Sequence, residues 1–142
     1  MKLADVLRNK DSEIVRIGAH SSIAAAARLL TEKKIGALLV ENEDEDIVGI
    51  LSERDIVRGL GPHGADLHDV EVAELMTQNV IRCSSADSVN EAMAMMTDRR
   101  IRHLPVFEGE ELVGFISIGD LVKCRITEVQ AEAEAMRAYI AS

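Results

Sequence analysis

Apolar residues recur along the chain at two spacings, which predict different elements. After Ser22, apolar residues stand at positions i, i+3, i+4 and i+7 of residues 23–30, a pattern typical of an amphipathic helix with a serine N-cap. Short apolar runs at 37–40 and 47–51 are separated by an acidic turn, which predicts a β-hairpin. Ser52 follows the hairpin, and an acidic residue three positions later indicates a second helix start.

The same order of signals returns in the second half of the chain. A shift of 66 residues places 14–40 on 80–106, and a shift of 65 residues places 47–58 on 112–123, with identical residues along both alignments. Ser117 then occupies the position of Ser52 in the first copy. The sequence therefore predicts two copies of a β-α-β-β-α unit, which is an α+β fold.

The copies are expected at residues 1–60 and 72–125, with residues 61–71 as a linker. The linker is predicted because residues 59–69 collect glycine, proline and aspartate, which favour loops. Residues 126–142 are expected to form a C-terminal helix, since apolar residues recur there at helical spacing: Val129, Ala133, Met136 and Ile140. Packing against its own module and contact with a second copy both fit that helix.

Composition excludes several classes of function. The chain has 142 residues, of which 47% are hydrophobic and 29% charged, as expected for a soluble folded module. The net charge of −9 and the aromatic content of 2% argue against nucleic-acid binding. Cys83 and Cys124 form neither a disulfide framework nor a metal-ligand spacing. No apolar run is long enough for a signal peptide or a membrane span, so a cytoplasmic location is expected.

Ligand binding is expected at the N-terminus of the second helix of each copy. Asp55 follows Ser52 by three positions, as Asp120 follows Ser117. A carboxylate accepts two hydrogen bonds and suits the paired hydroxyls of a ribose, and the N–H groups of a helix start suit a phosphate. Ser-x-x-Asp is also an ordinary capping box. Its occurrence at matched places in both copies favours a ligand site.

These segments resemble a tandem pair of cystathionine-β-synthase-type (CBS) repeats. The residues that carry the resemblance are Gly49–Asp55 and Gly114–Asp120, which share the pattern Gly-φ-φ-Ser-x-x-Asp, together with Arg100–Val106. The resemblance implies two pseudo-twofold-related repeats forming one module, with two clefts between them. It implies adenosine-containing ligands such as AMP, ADP, ATP, S-adenosylmethionine or NAD(H). It also implies a homodimer that regulates a partner protein.

The resemblance assigns residues to a first cleft. Ser52 and Asp55 would bind the ribose, and Arg102 and His103 would face the phosphate. If protonated His103 binds that phosphate, AMP affinity should fall as the pH rises through the histidine range. Arg54 is a further phosphate candidate and is equally consistent with a solvated surface charge. Adenine would lie against three apolar residues: Val80, Ile81 and Ile101.

The second cleft would combine Ser117 and Asp120 with the strand-entry residues of the first copy: Ile35, Gly36 and Ala37. Gly36 and Ala37 stand where the second copy has Arg102 and His103, so the phosphate-binding pair is missing there. A nucleoside, the adenosine end of a dinucleotide and an empty cleft all fit this arrangement.

The chain is expected to be a ligand-binding module and not an enzyme. It contains neither a nucleophile elbow nor a P-loop. His63 and His68 lie near aspartates in the linker, but no helix is expected to fix their geometry, so no metal site is predicted. Two alternatives stay open: a ligand-free scaffold dimer, and a small nucleotide hydrolase. The hydrolase is disfavoured because no residue pattern supplies an activated water.

Overall fold

The chain folds into two compact units of mixed helix and strand, which confirms the predicted α+β class. The structure, a computed structural model, describes residues 1–10 and 13–142. One unit, here the terminal unit, consists of Met1–Ser12 and Ile81–Ser142. The other, the central unit, consists of Glu13–Val80.

The two units contain matched elements. The terminal unit contains α1 (Leu3–Asn9), β4 (Cys83–Ser84), α5 (Val89–Arg99), β5 (His103–Glu108), β6 (Glu111–Ser117) and α6 (Ile118–Ala141). The central unit contains β1 (Arg16–Gly18), α2 (Ile23–Lys33), β2 (Ala37–Glu41), β3 (Ile47–Ser52), α3 (Glu53–His63), a 3-10 helix (Gly64–Asp69) and α4 (Val72–Leu75). Among the described residues, no helix is long and apolar enough to cross a bilayer.

Each unit is built on a three-stranded sheet of the same topology. The strand orders are β1-β2-β3 and β4-β5-β6, with the first pair parallel and the second antiparallel. The antiparallel pairs are the two predicted hairpins. Their register shifts at corresponding places, between Val40 and Glu41 in one unit and between Val106 and Phe107 in the other. The duplication therefore extends to an irregularity of the sheet.

The helices that precede the hairpins begin as the sequence predicts, and they end alike. The Ser22 hydroxyl accepts a hydrogen bond from the Ala25 N–H, which caps α2. The Ser88 hydroxyl caps α5 in the same way. Both helices end on a basic residue in the left-handed region, Lys34 with φ 56° and Arg100 with φ 54°. These matched ends direct the chain into the residues that enter β2 and β5.

Each unit buries a hydrophobic core of its own. Leu38, Val40 and Leu51 are fully buried in the central unit. Leu104, Val106 and Ile116 are the equivalent residues of the terminal unit. The first helix, α1, buries its apolar residues in the terminal core, although it precedes the first copy in sequence: Leu3 and Val6.

The predicted linker is helical. Residues 59–69 were expected to be a loop, but α3 continues to His63 and a 3-10 helix follows directly. Leu67 is buried in the central core, and Gly59 lies so close to Leu67 and Leu75 that a Cβ there would come within 2.8 and 2.7 Å of them. Tertiary packing therefore overrides the loop preference of glycine and proline. Pro62 falls in the last turn of α3.

Substitution by alanine is expected to change stability in opposite directions at two glycines of α3. Gly61→Ala should stabilise the protein by up to about 1 kcal/mol, because alanine favours helix and nothing lies within 4 Å of the added Cβ. Gly59→Ala has the same helical preference but overpacks the Leu67 and Leu75 contacts, at a cost of about 1–3 kcal/mol. Urea unfolding of both variants measures the difference. Equal effects would contradict the helical packing of this segment.

Candidate functional site

Both Ser-x-x-Asp segments form capping boxes at helix starts. At the start of α3, the Ser52 hydroxyl accepts from the Asp55 N–H at 3.3 Å, and Asp55 Oδ2 accepts from the Ser52 N–H at 3.0 Å. At the start of α6, the corresponding distances for Ser117 and Asp120 are 3.2 and 2.8 Å. The box uses Oδ2 of each aspartate, and no other described residue donates a hydrogen bond to either Oδ1. The capping interpretation is therefore correct, and neither Oδ1 accepts a hydrogen bond from the described residues.

In each unit, the residues that lead into the first hairpin strand lie beside the capping box of the same unit. The carbonyl of Gly36 accepts from the Glu53 N–H at 3.0 Å, and the carbonyl of Arg102 accepts from the Ile118 N–H at 2.8 Å. The hairpin registers explain this, because the first residue of one strand pairs with the last residue of the next, Ala37 with Ser52. The terminal hairpin pairs His103 with Ser117 in the same way.

The predicted site residues fall into two local groups. In the central unit, residues 35–37 lie beside Ser52 and Asp55; in the terminal unit, residues 101–103 lie beside Ser117 and Asp120. The combination of Ser52 and Asp55 with Arg102 and His103 draws on both units and stays a prediction. So does the combination of Ser117 and Asp120 with Ile35, Gly36 and Ala37.

An open groove adjoins the central group. It has a volume of about 550 Å³ and lies between α2 and α3. Its lining is mainly apolar, with one basic and one acidic side chain at its rim: Ala27, Leu30, Thr31, Lys34, Ile35, Gly36, Glu53, Ile56 and Val57. Two of the predicted residues, Ile35 and Gly36, are therefore accessible from a concave surface.

Asp55 has a charged neighbour that was not identified from the sequence. Asp55 is buried, with 7% of its surface exposed. Arg58, one helical turn further along α3, brings its guanidinium within 3.6 Å of Asp55 Oδ1. Arg54, the phosphate candidate from the sequence, is exposed. The helical spacing of three residues explains why Arg58 and not Arg54 lies next to the carboxylate.

Lys10 is a site residue that the sequence interpretation missed. Its ammonium donates to Asp120 Oδ2 at 2.7 Å and to the Phe115 carbonyl at 2.7 Å. Lys10 follows the end of α1, whose apolar residues pack in the terminal core. The sequence predicts that the Arg-His pair is missing from the Asp120 cleft, and the structure places the Lys10 ammonium at Asp120.

The ion pair shifts the titration of Asp120. Partial burial raises the pKa of this carboxyl, but the hydrogen bonds and charge of Lys10, together with the Ser117 N–H, lower it by more. The net pKa of Asp120 lies below its ordinary value. The group is therefore a carboxylate at neutral pH, as ribose binding requires.

His103 lies next to the same cluster. Its ring stacks in a tilted geometry on Phe115, with 5.6 Å between the centroids. Burial lowers the pKa of His103; the positive charges of Lys10 and Arg102 lower it further, whereas Asp120 raises it. The net pKa is below the ordinary value, so the ligand-free protein holds a neutral imidazole at neutral pH. AMP affinity would fall with rising pH, as expected from the sequence, only if a bound phosphate returned a proton to the His103 ring.

His103 gives the protein a stability that depends on pH. The unfolded chain takes up a proton here near the ordinary histidine pKa of about 6.5, whereas the native chain does so only at lower pH. Stability should therefore fall as the pH falls through about 6.5, well above the range in which Asp120 titrates. Urea unfolding near neutral pH and near pH 5.5 should show a smaller loss for His103→Gln. An unchanged loss in that variant would contradict the assignment.

The remaining apolar candidates are partly buried within single units, and their contact with adenine stays a prediction. Ile81 and Ile101 pack against the terminal core, and Val80 is half-buried at the end of the central unit. Burial raises the pKa of the Cys83 thiol to about 11, so this thiol stays protonated at neutral pH. Within residues 1–10 and 13–142, no cluster of three or more His, Cys, Asp or Glu could hold a metal ion.

Comparison with known proteins gives consistent matches. The family model described as CBS domain matches the chain twice, over residues 4–61 and 72–126. A mitochondrial CBS domain-containing protein of Arabidopsis thaliana is 31% identical over 97% of this chain and 71% of its own length.

Solved structures match the fold over most of the chain. A CBS-domain-containing protein from Agrobacterium tumefaciens is 40% identical, with a TM-score of 0.84, over 87% of this chain and 92% of that one. The CBS domain pair of another protein, solved in complex with 5′-methylthioadenosine and S-adenosylmethionine, is 27% identical with a TM-score of 0.74. That match covers 90% of this chain and 98% of the other.

Proposed function

The chain belongs to the CBS-domain family, and we propose that it is a regulatory module for adenosine-containing nucleotides. It binds these nucleotides and signals their binding to a partner protein. The candidate ligands are AMP, ADP, ATP and NAD(H). The proposal assigns no catalytic step to the chain. CBS domain pairs are regulatory modules, and a related pair was solved with two adenosine-containing ligands.

The matched helix starts are the observation that carries the proposal. Asp55 and Asp120 each have one oxygen held by a capping box. The box fixes the carboxylate before a ligand arrives, so little side-chain freedom is lost on binding. The other oxygen is proposed to accept the ribose hydroxyls. The helix dipoles of α3 and α6 favour an anion at the same place.

As an alternative to the predicted combination of Arg102 and His103 with Asp55, the phosphate is proposed to bind next to Asp120 in the terminal unit. Lys10 supplies an ammonium that already donates to that carboxylate. Arg102 and His103 lie at the adjoining strand entry. A cluster of two permanent cations and one titratable group suits a phosphate better than a neutral nucleoside. This supports AMP, ADP or ATP over adenosine alone as the ligand of the terminal unit.

Calorimetric titration tests the proposed function against its main alternative. AMP, ATP and NADH are titrated in turn into the whole protein. The proposal expects saturable heat for at least one of them, and a ligand-free scaffold gives none with any. Assay of ATP for hydrolysis products after incubation separates binding from a hydrolase, because the proposed module leaves the nucleotide intact.

The module is further proposed to act as a homodimer. Several large apolar side chains are exposed on the separate units, such as Val57 and Leu60 on α3 and Val122 on α6, and pairing of two copies would remove such surface from water. Light scattering should give about twice the 15.5 kDa of one chain. A mass of one chain at micromolar concentration would overturn the homodimer and leave nucleotide binding to be judged separately.

A further inference from the structure

The C-terminal helix α6 has two parts with different surroundings. In its first three turns, one face packs on the terminal unit: Leu121 is fully buried, and Cys124, Arg125 and Glu128 are partly covered. Arg125 donates to Glu128 at 2.9 Å, and the N-terminal ammonium lies 3.5 Å from the same carboxylate. From Val129 to Ser142, every residue is exposed. The terminal unit therefore leaves the second half of α6 uncovered.

An apolar stripe runs along α6 on a different face. Its members follow one another at spacings of 4, 3, 4, 3 and 4 residues: Val122, Ile126, Val129, Ala133, Met136 and Ile140. At 3.6 residues per turn, this stripe lies about a quarter turn from the face that holds Leu121. Exposure along it runs from 40% at Val122 to 77% at Ile140. These six residues form an exposed apolar seam on α6.

The spacing of the seam is that of a coiled coil. Alternation of three and four residues is the a/d pattern of a heptad repeat. It places Ile126, Ala133 and Ile140 at a positions. An exposed helix of this length is marginal in water by itself, since most helical stability in proteins comes from packing an apolar face. The exposed half of α6 therefore needs a partner helix with a matching seam.

The charged residues that flank the seam favour one orientation of a second copy over the other. In a parallel, in-register pair, Glu132 at a g position faces the e position of the next heptad, which holds Arg137 in the second copy. In an antiparallel pair with the same core layers, Lys123 would face Arg137, and Glu132 would face Glu132. The parallel pair therefore brings opposite charges together, and the antiparallel pair brings like charges together at both places.

We propose that α6 pairs with α6 of a second copy as a parallel two-stranded coiled coil along the seam. The inference deepens the proposed homodimer and rests on it, because it names the surface and the orientation. A lipid surface fits less well. The helix beyond Arg125 carries three glutamates and one arginine, and an anionic membrane would repel that net negative charge.

Sedimentation equilibrium of wild type and two double variants tests the surface. Ile126→Glu with Ile140→Glu places charges in the seam; Ala131→Glu with Ala138→Glu adds the same charges at exposed f positions, on the opposite face from the seam. The dimer dissociation constant should rise at least about a hundredfold in the seam variant and little in the control. Both pairs alter exposed residues, so urea unfolding should show both units folded in each variant, and any loss of helical circular dichroism in the seam variant should be confined to the exposed half of α6.

The outcomes separate the two proposals. A wild-type monomer overturns the homodimer and the seam together. A seam variant that remains as dimeric as wild type overturns the seam alone and leaves the homodimer standing, while a selective loss of the dimer supports both. Nucleotide titration of the seam variant is a separate readout, because none of its substitutions lies at Asp55 or Asp120.

Cysteine cross-linking tests the orientation. In a Cys124→Ser background, Ile140→Cys should form a disulfide-linked dimer on mild oxidation, because a parallel pair brings the two copies of residue 140 together. Ala138→Cys points away from the seam and is the matched control. Cross-linking only in a mixture of Val122→Cys and Ile140→Cys chains would show an antiparallel pair and overturn the proposal. Cys83 is buried and stays in place throughout.

Discussion

Alanine at Asp120 is expected to weaken the binding of adenosine and of AMP together, by about ten- to a hundredfold. Both ligands carry the ribose, and a hydrogen bond from a hydroxyl to a carboxylate contributes about 1.5–3 kcal/mol. Asp55→Ala should have the same effect on a ligand bound in the central unit. Calorimetric titration of both ligands into wild type and each variant measures the change.

A capping variant separates lost binding from lost stability. Each aspartate also closes a capping box, so its removal destabilises α3 or α6. Ser88→Ala removes the N-cap of α5 at a cost of about 1 kcal/mol and changes no candidate ligand residue. It should bind AMP as wild type does. If neither aspartate variant weakens adenosine, or if Ser88→Ala weakens it equally, the ribose assignment is wrong.

Replacement of Lys10 by methionine is expected to discriminate between the two ligands. AMP affinity in the terminal unit should fall by about ten- to a hundredfold, because the ammonium contributes a charge-assisted bond to phosphate. Adenosine has no phosphate, and Lys10 donates to Asp120 Oδ2 and not to the Oδ1 proposed for the ribose. Adenosine should therefore bind as well as before. Titration of each ligand into the variant gives the ratio.

The control for Lys10 is a lysine of the other unit. Lys33 forms an exposed ion pair with Glu13, and surface pairs of this kind contribute little stability. Lys33→Met should leave both affinities unchanged. A parallel loss of AMP and adenosine in Lys10→Met would show that Lys10 only positions Asp120. An unchanged AMP affinity would remove Lys10 from the site.

The duplicated fold was predictable because its signals are local. Serine caps, apolar spacing and the hairpin turns each lie within a few residues, and both copies repeat them. Residues 59–69 were not predictable in the same way. Their helical structure depends on burial of Leu67 and on the close approach of Gly59 to Leu75, and neither contact is visible in a window of sequence.

The site was predictable in part for the same reason. The Ser-x-x-Asp motif is four residues long and was found from the sequence. Lys10 lies 110 positions from Asp120 and outside the aligned copies, so no local or repeat pattern links the two. Only the packing of α1 in the terminal core brings them together. The lowered pKa of His103 likewise comes from burial and from Lys10, which is distant in sequence, as well as from the adjacent Arg102.

The most direct test of ribose binding at the helix starts is an amide NMR titration of the whole protein with AMP. Ribose binding at the helix starts predicts saturable shifts of the first-turn amides of α6, from Ile118 to Asp120, and of the equivalent turn of α3 wherever that unit is occupied. Adenosine should shift the same amides with lower affinity in the terminal unit. Saturable binding that leaves the amides of both helix starts unmoved would contradict ribose binding there.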